Sequence, residues 1–575
     1  MMLKVSKNRL CPASGLFRFS ISKNAGIIIL MTIGMLIFCP GFLLASFQNF
    51  TFRPQDYNNP EYLSVFFGVC GVISSVIITI ANYISFCYLY KKSSSDVFHA
   101  LPLTRIRLLL SRAAASFVSV LIPLTVGYLS LWALTAFYPS YALGTFGQIA
   151  SAYIINILCI ITVSAYTLIF IVCAGSAFDL VISFAGFNVA VLAIGSIISS
   201  IADRHLTGYS SENINQILKN ISVLVYCGSG AVEFALGEKS APFSLAENSE
   251  FIFKTLLFAA IFLAVSVVLY NHRKSERAEQ AYAYKFLYAV CSVLAGICGG
   301  FLLSRIFILT GDADDISIIG GISFIAGALI TTVVYGAVTD RSFKKFRSSL
   351  VFGAVSTVIY VIILSIIING ALGFGKKVPE LKDIKETYVS FGAENLTVGG
   401  NGSKKVIALH KAIIEKNADD DTQKEVETPH TFVNIVYTLN DGDRIARQYF
   451  ADIEKVQNEL FTIYSGEERF KALDNAIECM KGKIYLDFDE NEDNKTTTYI
   501  VSKEQLVALT QIYKNELLSG DKSVVNGDRN VFRILAYSYS SGEYYDGSNF
   551  DISLTNDFPE TVAFINTFQV ADELG

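Results

Sequence analysis

Residues 350–372 read LVFGAVSTVIYVIILSIIINGAL, a run without one charged side chain. As a helix it rises about 35 Å, enough to cross ~30 Å of hydrocarbon. Residues 376–386 then read KKVPELKDIKE, and no run of comparable apolarity follows. The switch divides the chain into an apolar membrane part and a polar C-terminal domain. Working back from it, eight more runs pass the same test: Ala25–Phe47, Val65–Tyr88, Ala113–Phe137, Ala152–Ala174, Phe178–Ile201, Phe251–Tyr270, Phe286–Ile308 and Ile316–Val338. The expected fold is a polytopic α-helical membrane protein of about nine spans, followed by an α+β domain.

Composition excludes the other classes. Hydrophobic residues are 52% and charged residues 17% of the 575, against ~25% charged in soluble domains. The mean hydropathy is +0.45. That rules out a soluble enzyme, a disordered chain and a disulfide scaffold. The first run is too long for a signal-peptide core, and no small-residue cleavage site follows it. Residues 1–375 carry 24 basic and 16 acidic side chains, net +8; residues 376–575 carry 22 and 35, net −13. An acidic domain without a basic stripe argues against nucleic acid.

Basic residues in the loops set an expected orientation. The N-terminal tail and the loops after spans two, six and eight hold 18 Lys and Arg. The opposite loops hold only Arg53, Arg204, Lys219 and Lys239. The N-terminus is therefore expected in the cytoplasm of a cell-membrane protein, and the C-terminal domain outside. The weak point is the loop Gly175–Ala177, which carries no basic residue. Cys479 is alone in its domain and cannot staple it.

Asn82, Asn156 and Asn188 lie within apolar runs, where polar groups bond neighbouring helices or line a substrate path. No chain of buried carboxylates or histidines suggests a proton-driven pump. The loop 91–112 has internal structure. Ser93–Asp96 offer an N-cap for a short helix ending near Ala100, Pro102 stops it, and Thr104 can cap the next helix. Val97, Phe98 and Leu101 would be its apolar contacts. The opposite loop, 202–250, holds an apolar patch, Ile221–Leu236, too short for a span and broken by Gly228 and Gly230. It reads as a re-entrant or interfacial hairpin, held shallow by Glu233.

The stretch Asp96-Val97-Phe98-His99-Ala100-Leu101-Pro102-Leu103-Thr104-Arg105 resembles the D-x-(F/Y)-H-S-L-P-(I/L)-x-R pattern of type-two ABC exporter permeases, with Ala100 in place of Ser. The run His272-Arg273-Lys274-Ser275-Glu276-Arg277-Ala278 resembles their R-K-x-E-x-A stretch. The resemblance covers about residues 1–280: a tail 1–24 and a six-helix permease domain 25–280, with the outer re-entrant loop a further shared feature. The three additional spans (281–375) and the domain 376–575 resemble an extended Clostridia–Bacilli subgroup. The resemblance implies a dimeric exporter subunit, as a homodimer or with a second permease. A separate cytoplasmic ATPase chain would dock on the loop containing Asp96, Val97, Phe98, His99, Leu101, Pro102 and Arg105. The chain itself has no G-x-x-x-x-G-K-[ST] loop, so ATP would be used by the partner. Gly399–Lys404 has the wrong spacing and reads as a turn. No catalytic set, cofactor or metal site is signalled. The alternative is a non-transporting sensor or resistance protein whose outer domain binds an envelope ligand.

The C-terminal domain alternates strand and helix signals. Val433–Leu439 and Arg444–Phe450 flank Asp441-Gly442, a hairpin turn dipeptide. Ser502 with Gln505 forms a capping box for a helix through Leu518, and Pro559 opens the last helix. Thr387–Val389 and Val406–Leu409 echo Thr498–Ile500 and Leu506–Leu509, suggesting two related β-α-β-β-α halves. Asp487–Asn491 starts like a calcium loop, but Glu492 stands where the turn needs Gly. His410 and His430 lack the spacing of zinc ligands.

Overall fold

The computed structural model describes residues 12–37, 60–137, 145–210, 213, 218, 221–236, 243–246, 248–280, 282–309, 318–343, 346–371, 373–391, 394–416, 430–440, 444–480, 483–490, 495–519, 532–540, 543–544, 550–554 and 558–570. Two compact units emerge. One comprises 1–197 and 215–362, the other 198–214 and 363–575. The second thus takes in more than the segment 376–575.

The first unit is helical: α1 Pro12–Lys23, α2 Ala25–Leu36, α3 Pro60–Phe86, α4 Lys92–His99, α5 Arg105–Phe137, α6 Phe146–Cys173, α7 Ala177–His205 (its last turns counted with the second unit), α8 Val223–Leu236, α9 Ser249–His272, α10 Lys285–Leu309, α11 Ile318–Asp340 and α12 Phe346–Ile368. Among the described residues, eight helices are long and apolar enough to cross a membrane. They match the expected runs from the second to the ninth. Of the first run, Ala25–Phe47, the described part ends at Ile37. Its helix α2 is bent by 56° from α1, so the expected tail carries a helix of its own.

Helix α6 is the most enclosed. Its start is fixed by a capping box: Thr145 Oγ1 accepts from Gln148 N at 3.3 Å, and Gln148 Oε1 accepts from Thr145 N at 2.8 Å. Buried Ile155, Ile160 and Val163 carry it into a core shared with α3 and α5. Helices α10 and α11 approach closely because Gly300 leaves room for the Phe324 ring, which stacks on Tyr360 of α12 at 3.7 Å.

In the second unit, β1 (Ile384–Phe391), β2 (Glu394–Val398), α13 (Asn401–Glu415), β3 (His430–Leu439), β4 (Arg444–Asp452) and α14 (Ile453–Tyr464) form a first half. Its antiparallel sheet runs β2-β1-β3-β4. After α15 (Glu467–Cys479) come β5 (Lys483–Glu490), β6 (Lys495–Val501), α16 (Lys503–Ser519), β7 (Phe532–Ser540), β8 (Glu543–Tyr544), β9 (Phe550–Leu554), α17 (Pro559–Ile565) and β10 (Gln569–Val570). The second sheet runs β10-β6-β5-β7-β8, with β9 also on β7. Its β6-β5-β7-β9 part repeats the first order, so each half is ββαββα. The match pairs β1 with β5 and β2 with β6. The expected pairing of Thr387–Val389 with Thr498–Ile500 sets β1 against β6 and is off by one strand. Helix α16 starts on the expected box, Ser502 N to Gln505 Oε1 at 2.8 Å and Gln505 N to Ser502 Oγ at 3.2 Å. Gly399–Lys404 is the turn plus the first residues of α13, with Gly400 at φ +53°. Both halves share one apolar core, from Val389 and Leu409 to Leu509 and Ile534.

The edge strand β4 is covered rather than open, which blunts unwanted pairing. Asn213 Nδ2 donates to Ala446 O at 3.1 Å. The Arg447 guanidinium lies 3.9 Å over the Phe374 ring, and Tyr209 packs on that ring at 6.1 Å. Gly208, at φ +71°, sits where a Cβ would meet the Tyr449 hydroxyl at 2.6 Å. The turn dipeptide Asp441-Gly442 and residues 491–494 of the calcium-like stretch lie outside the described residues. Asp487 itself is a β5 residue accepting from Thr498 Oγ1 at 2.6 Å.

Candidate functional site

The end of the helical unit that carries Lys23, Lys91, Arg105 and Arg273 is where chemistry concentrates. Helices end there with carbonyls that lack intrahelical donors, and cations satisfy them. Lys23 Nζ donates to Ile84 O at 3.2 Å, near the end of α3. Arg105 Nη1 donates to Asn271 O at 2.9 Å and Arg273 O at 2.7 Å, at the end of α9. Arg273 Nη1 donates to Ile171 O at 3.2 Å and Val172 O at 2.5 Å, in the last turn of α6. Its Nη2 donates to Leu89 O at 2.9 Å, in the 3-10 turn Cys87–Tyr90. Positive charge at a helix C-terminus also opposes the dipole. These guanidinium groups therefore tie the ends of four helices together.

Helix α4 lies on this cluster. It spans Lys92–His99, so Ser93–Asp96 are inside it and do not cap it. The N-cap is Lys91, without a side-chain bond. A remote carboxylate replaces the cap: Glu279 Oε1 accepts from Lys92 N at 3.3 Å. Glu279 adopts φ +68°, rare for a residue with a Cβ, and its own N–H donates to Gly175 O at 3.0 Å. Gly175 must be glycine, because a Cβ there would collide with Gln280 O. The short loop after α6 is thus clamped on the 273–283 segment, with Ala174 bridged to Tyr282. Thr104 does cap α5, its Oγ1 accepting from Arg107 N at 3.4 Å.

The expected partner contacts need correcting. Phe98 points inward, 4.7 Å from the Tyr88 ring and 4.2 Å from the Arg112 guanidinium carbon. Leu101 is also half-buried against the same core. Both hold the loop in place and do not face outward. Val97 is 66% exposed, and Lys92, Ser93, Asp96, Ala100 and Pro102 are exposed around it. His99 Nδ1 lies 3.4 Å from Ser275 Oγ, beneath Tyr88 and Tyr270, whose hydroxyls bond at 2.6 Å. Burial, then Arg105 and Arg273, lowers the His99 pKa below the usual imidazole range. Sequence reasoning brought Asp96–Arg105 and Arg273 to one side. It missed Gly175, Glu279 and Arg112, whose partners are distant in the chain.

The other candidate residues are elsewhere. Asn82 Nδ2 donates to Ser164 Oγ at 3.0 Å, and Asn156 Nδ2 to Tyr128 OH at 2.6 Å. Asn188 Oδ1 accepts from Tyr166 OH at 3.2 Å. Each joins one helix to another. In the apolar patch Ile221–Leu236, α8 packs on α3 and α6, with Ser64 Oγ donating to Ala235 O at 3.2 Å and Cys159 Sγ lying 3.9 Å from Cys227 O. Both Cys227 and Phe234 are buried. Gly228 and Gly230 lie inside α8, one continuous helix of 14 residues, about 21 Å long, in place of the expected hairpin broken at the two glycines, and Glu233 sits in its last turn. Gly230 faces the Phe251 ring, while Gly228 has nothing within 4 Å. Gly230→Ala should therefore destabilise the unit by ~1–3 kcal/mol through overpacking. Gly228→Ala should be neutral or stabilise it by up to ~1 kcal/mol. Thermal unfolding of the two variants in one detergent compares them directly, and equal shifts would contradict this packing.

These features define a multi-pass helical membrane protein with a soluble α+β domain. In comparisons with known proteins, the chain matches no family model, no curated protein and no solved structure.

Proposed function

We propose that the chain is the permease subunit of an ATP-driven exporter, with its basic end in the cytoplasm and its C-terminal domain outside. It would work as a homodimer or heterodimer with separate ATPase chains, and would carry a peptide, antibiotic or lipid-like substrate. One observation carries the reading. The two stretches that resemble exporter motifs pack on each other, through His99 to Ser275 and Arg105 to Asn271 and Arg273. They leave Asp96, Val97 and Ala100 on an exposed face. Pressure on that face would reach α9 through Arg105. It would also reach the loop after α6 through Glu279.

The test is a charge at the centre of the exposed face. Val97→Glu should leave stability within ~0.5 kcal/mol, because Val97 is a surface residue. Burying valine against a partner is worth ~1.5 kcal/mol, about a ten-fold change in affinity. The variant should thus lose at least that factor in assembly with a candidate ATPase chain that co-purifies with the parent, and ATP turnover should fall with it. Wild-type assembly and turnover would remove α4 as the docking element.

A further inference from the structure

Arg112 of α5 is 1% exposed. Its Nη1 donates to Ser85 O, while Nε and Nη2 have no acceptor among the described residues. Among the described residues, the charged or ionisable groups that act on it are Tyr88, Tyr270 and Cys87, with no carboxylate. Two rings enclose it: Tyr88 at 4.3 Å, and Phe98 of α4 at 4.2 Å, each measured to the guanidinium carbon. Tyr88 is part of the turn that ends the α3 span. Phe98 belongs to a helix of eight residues whose outer face is free. Of the two covers, Phe98 is the one that can lift.

We propose that Arg112 is a spring beneath α4, poising that helix between a seated and a lifted position. Two effects oppose each other. The ring of Phe98 over the cation holds the helix down. The unmet donors of a buried charge favour letting water in, which offsets part of what the Phe98 ring, the Glu279 cap and the His99–Ser275 contact contribute to seating the helix. Lifting α4 withdraws Phe98 and hydrates Nε and Nη2. A force applied to Val97 or Asp96 would then act on a helix already close to release. The proposal concerns this chain alone and does not depend on the exporter reading.

The reporter is Ser95, which is 1% exposed on the seated side of α4. A full-length chain free of native cysteines and carrying Ser95→Cys is placed in lipid nanodiscs, open to both sides, and labelled with a polar maleimide. Arg112→Met should slow labelling at least five-fold, because the seated helix no longer covers an unsatisfied charge. Arg112→Gln, which can still donate to Ser85 O, should do the same and serves where the methionine variant does not fold. Phe98→Leu should speed labelling at least five-fold when Arg112 is present, and less than two-fold beside Arg112→Met. Unchanged or faster labelling in the Arg112 variants would overturn the proposal. So would a Phe98→Leu effect that is the same with and without Arg112.

Discussion

Replacing Arg273 by methionine is expected to cost about 3–5 kcal/mol of stability in the helical unit. The guanidinium is 3% exposed and serves Ile171 O, Val172 O and Leu89 O. Those three residues are themselves fully buried, so water cannot take over the freed carbonyls. Methionine fills much of the volume, which confines the loss to unmet acceptors and not to a cavity. Replacing a whole buried polar pair by apolar groups is often harmless; removing one side of it is not. Arg273→Lys should recover part of the loss, because an ammonium can reach one or two of the carbonyls but not all three in a planar fork. Unfolding in mixed detergent micelles would measure the series. A methionine variant within ~1 kcal/mol of the parent would show that the helix ends are held by apolar packing alone.

The spans were legible in the sequence because an apolar run longer than ~18 residues has few other uses. The Ser502–Gln505 box and the strands beside Asp441-Gly442 were legible because they depend on neighbours in sequence. The loop 91–112 was legible as a structured loop, but not in which side chains it exposes. Val97, Phe98 and Leu101 were expected to face one partner, but neighbouring residues on a helix point about 100° apart, and here Phe98 turns to the core while Val97 stays exposed. The cap on α4 had no local signal, because Glu279 lies 187 residues from Lys92. The repeat was visible as an echo of apolar strings, yet aligned to the wrong strand. Thr-Tyr-Val and Thr-Tyr-Ile suit any half-buried strand, and only the shared strand order fixes which strand corresponds to which.

Acid should weaken the C-terminal unit well before its carboxylates titrate. His410 of α13 is fully buried, with Nδ1 2.9 Å from Tyr437 OH and Nε2 2.7 Å from Tyr449 OH. Burial, with a smaller contribution from the Arg447 charge, pushes its pKa down to about 3. The unfolded chain has an ordinary imidazole, near ~6.5. Between these values the unfolded state binds the proton and the folded state does not, so stability rises with pH across that window. It is complete above about pH 6.5 and is lost progressively as pH falls towards about 3. From pH 7 to 5 the loss amounts to about 2 kcal/mol, or roughly thirty-fold in the unfolding equilibrium. Ordinary carboxylates lie near ~4 and contribute little in that range. Hydrogen exchange in the intact chain reads the effect. The slowest amides of β3 and β4, corrected for intrinsic rates, should lose about that factor of protection. His410→Gln keeps a side chain able to bond both tyrosines but cannot take the proton, so its protection should change far less between the two pH values. Equal loss in parent and variant would place the acid sensitivity outside the His410–Tyr437–Tyr449 cluster. No loss in either would mean that the folded unit admits a charged imidazole beside Arg447, through a rearrangement that opens the cover of Tyr209 and Phe374 over β4.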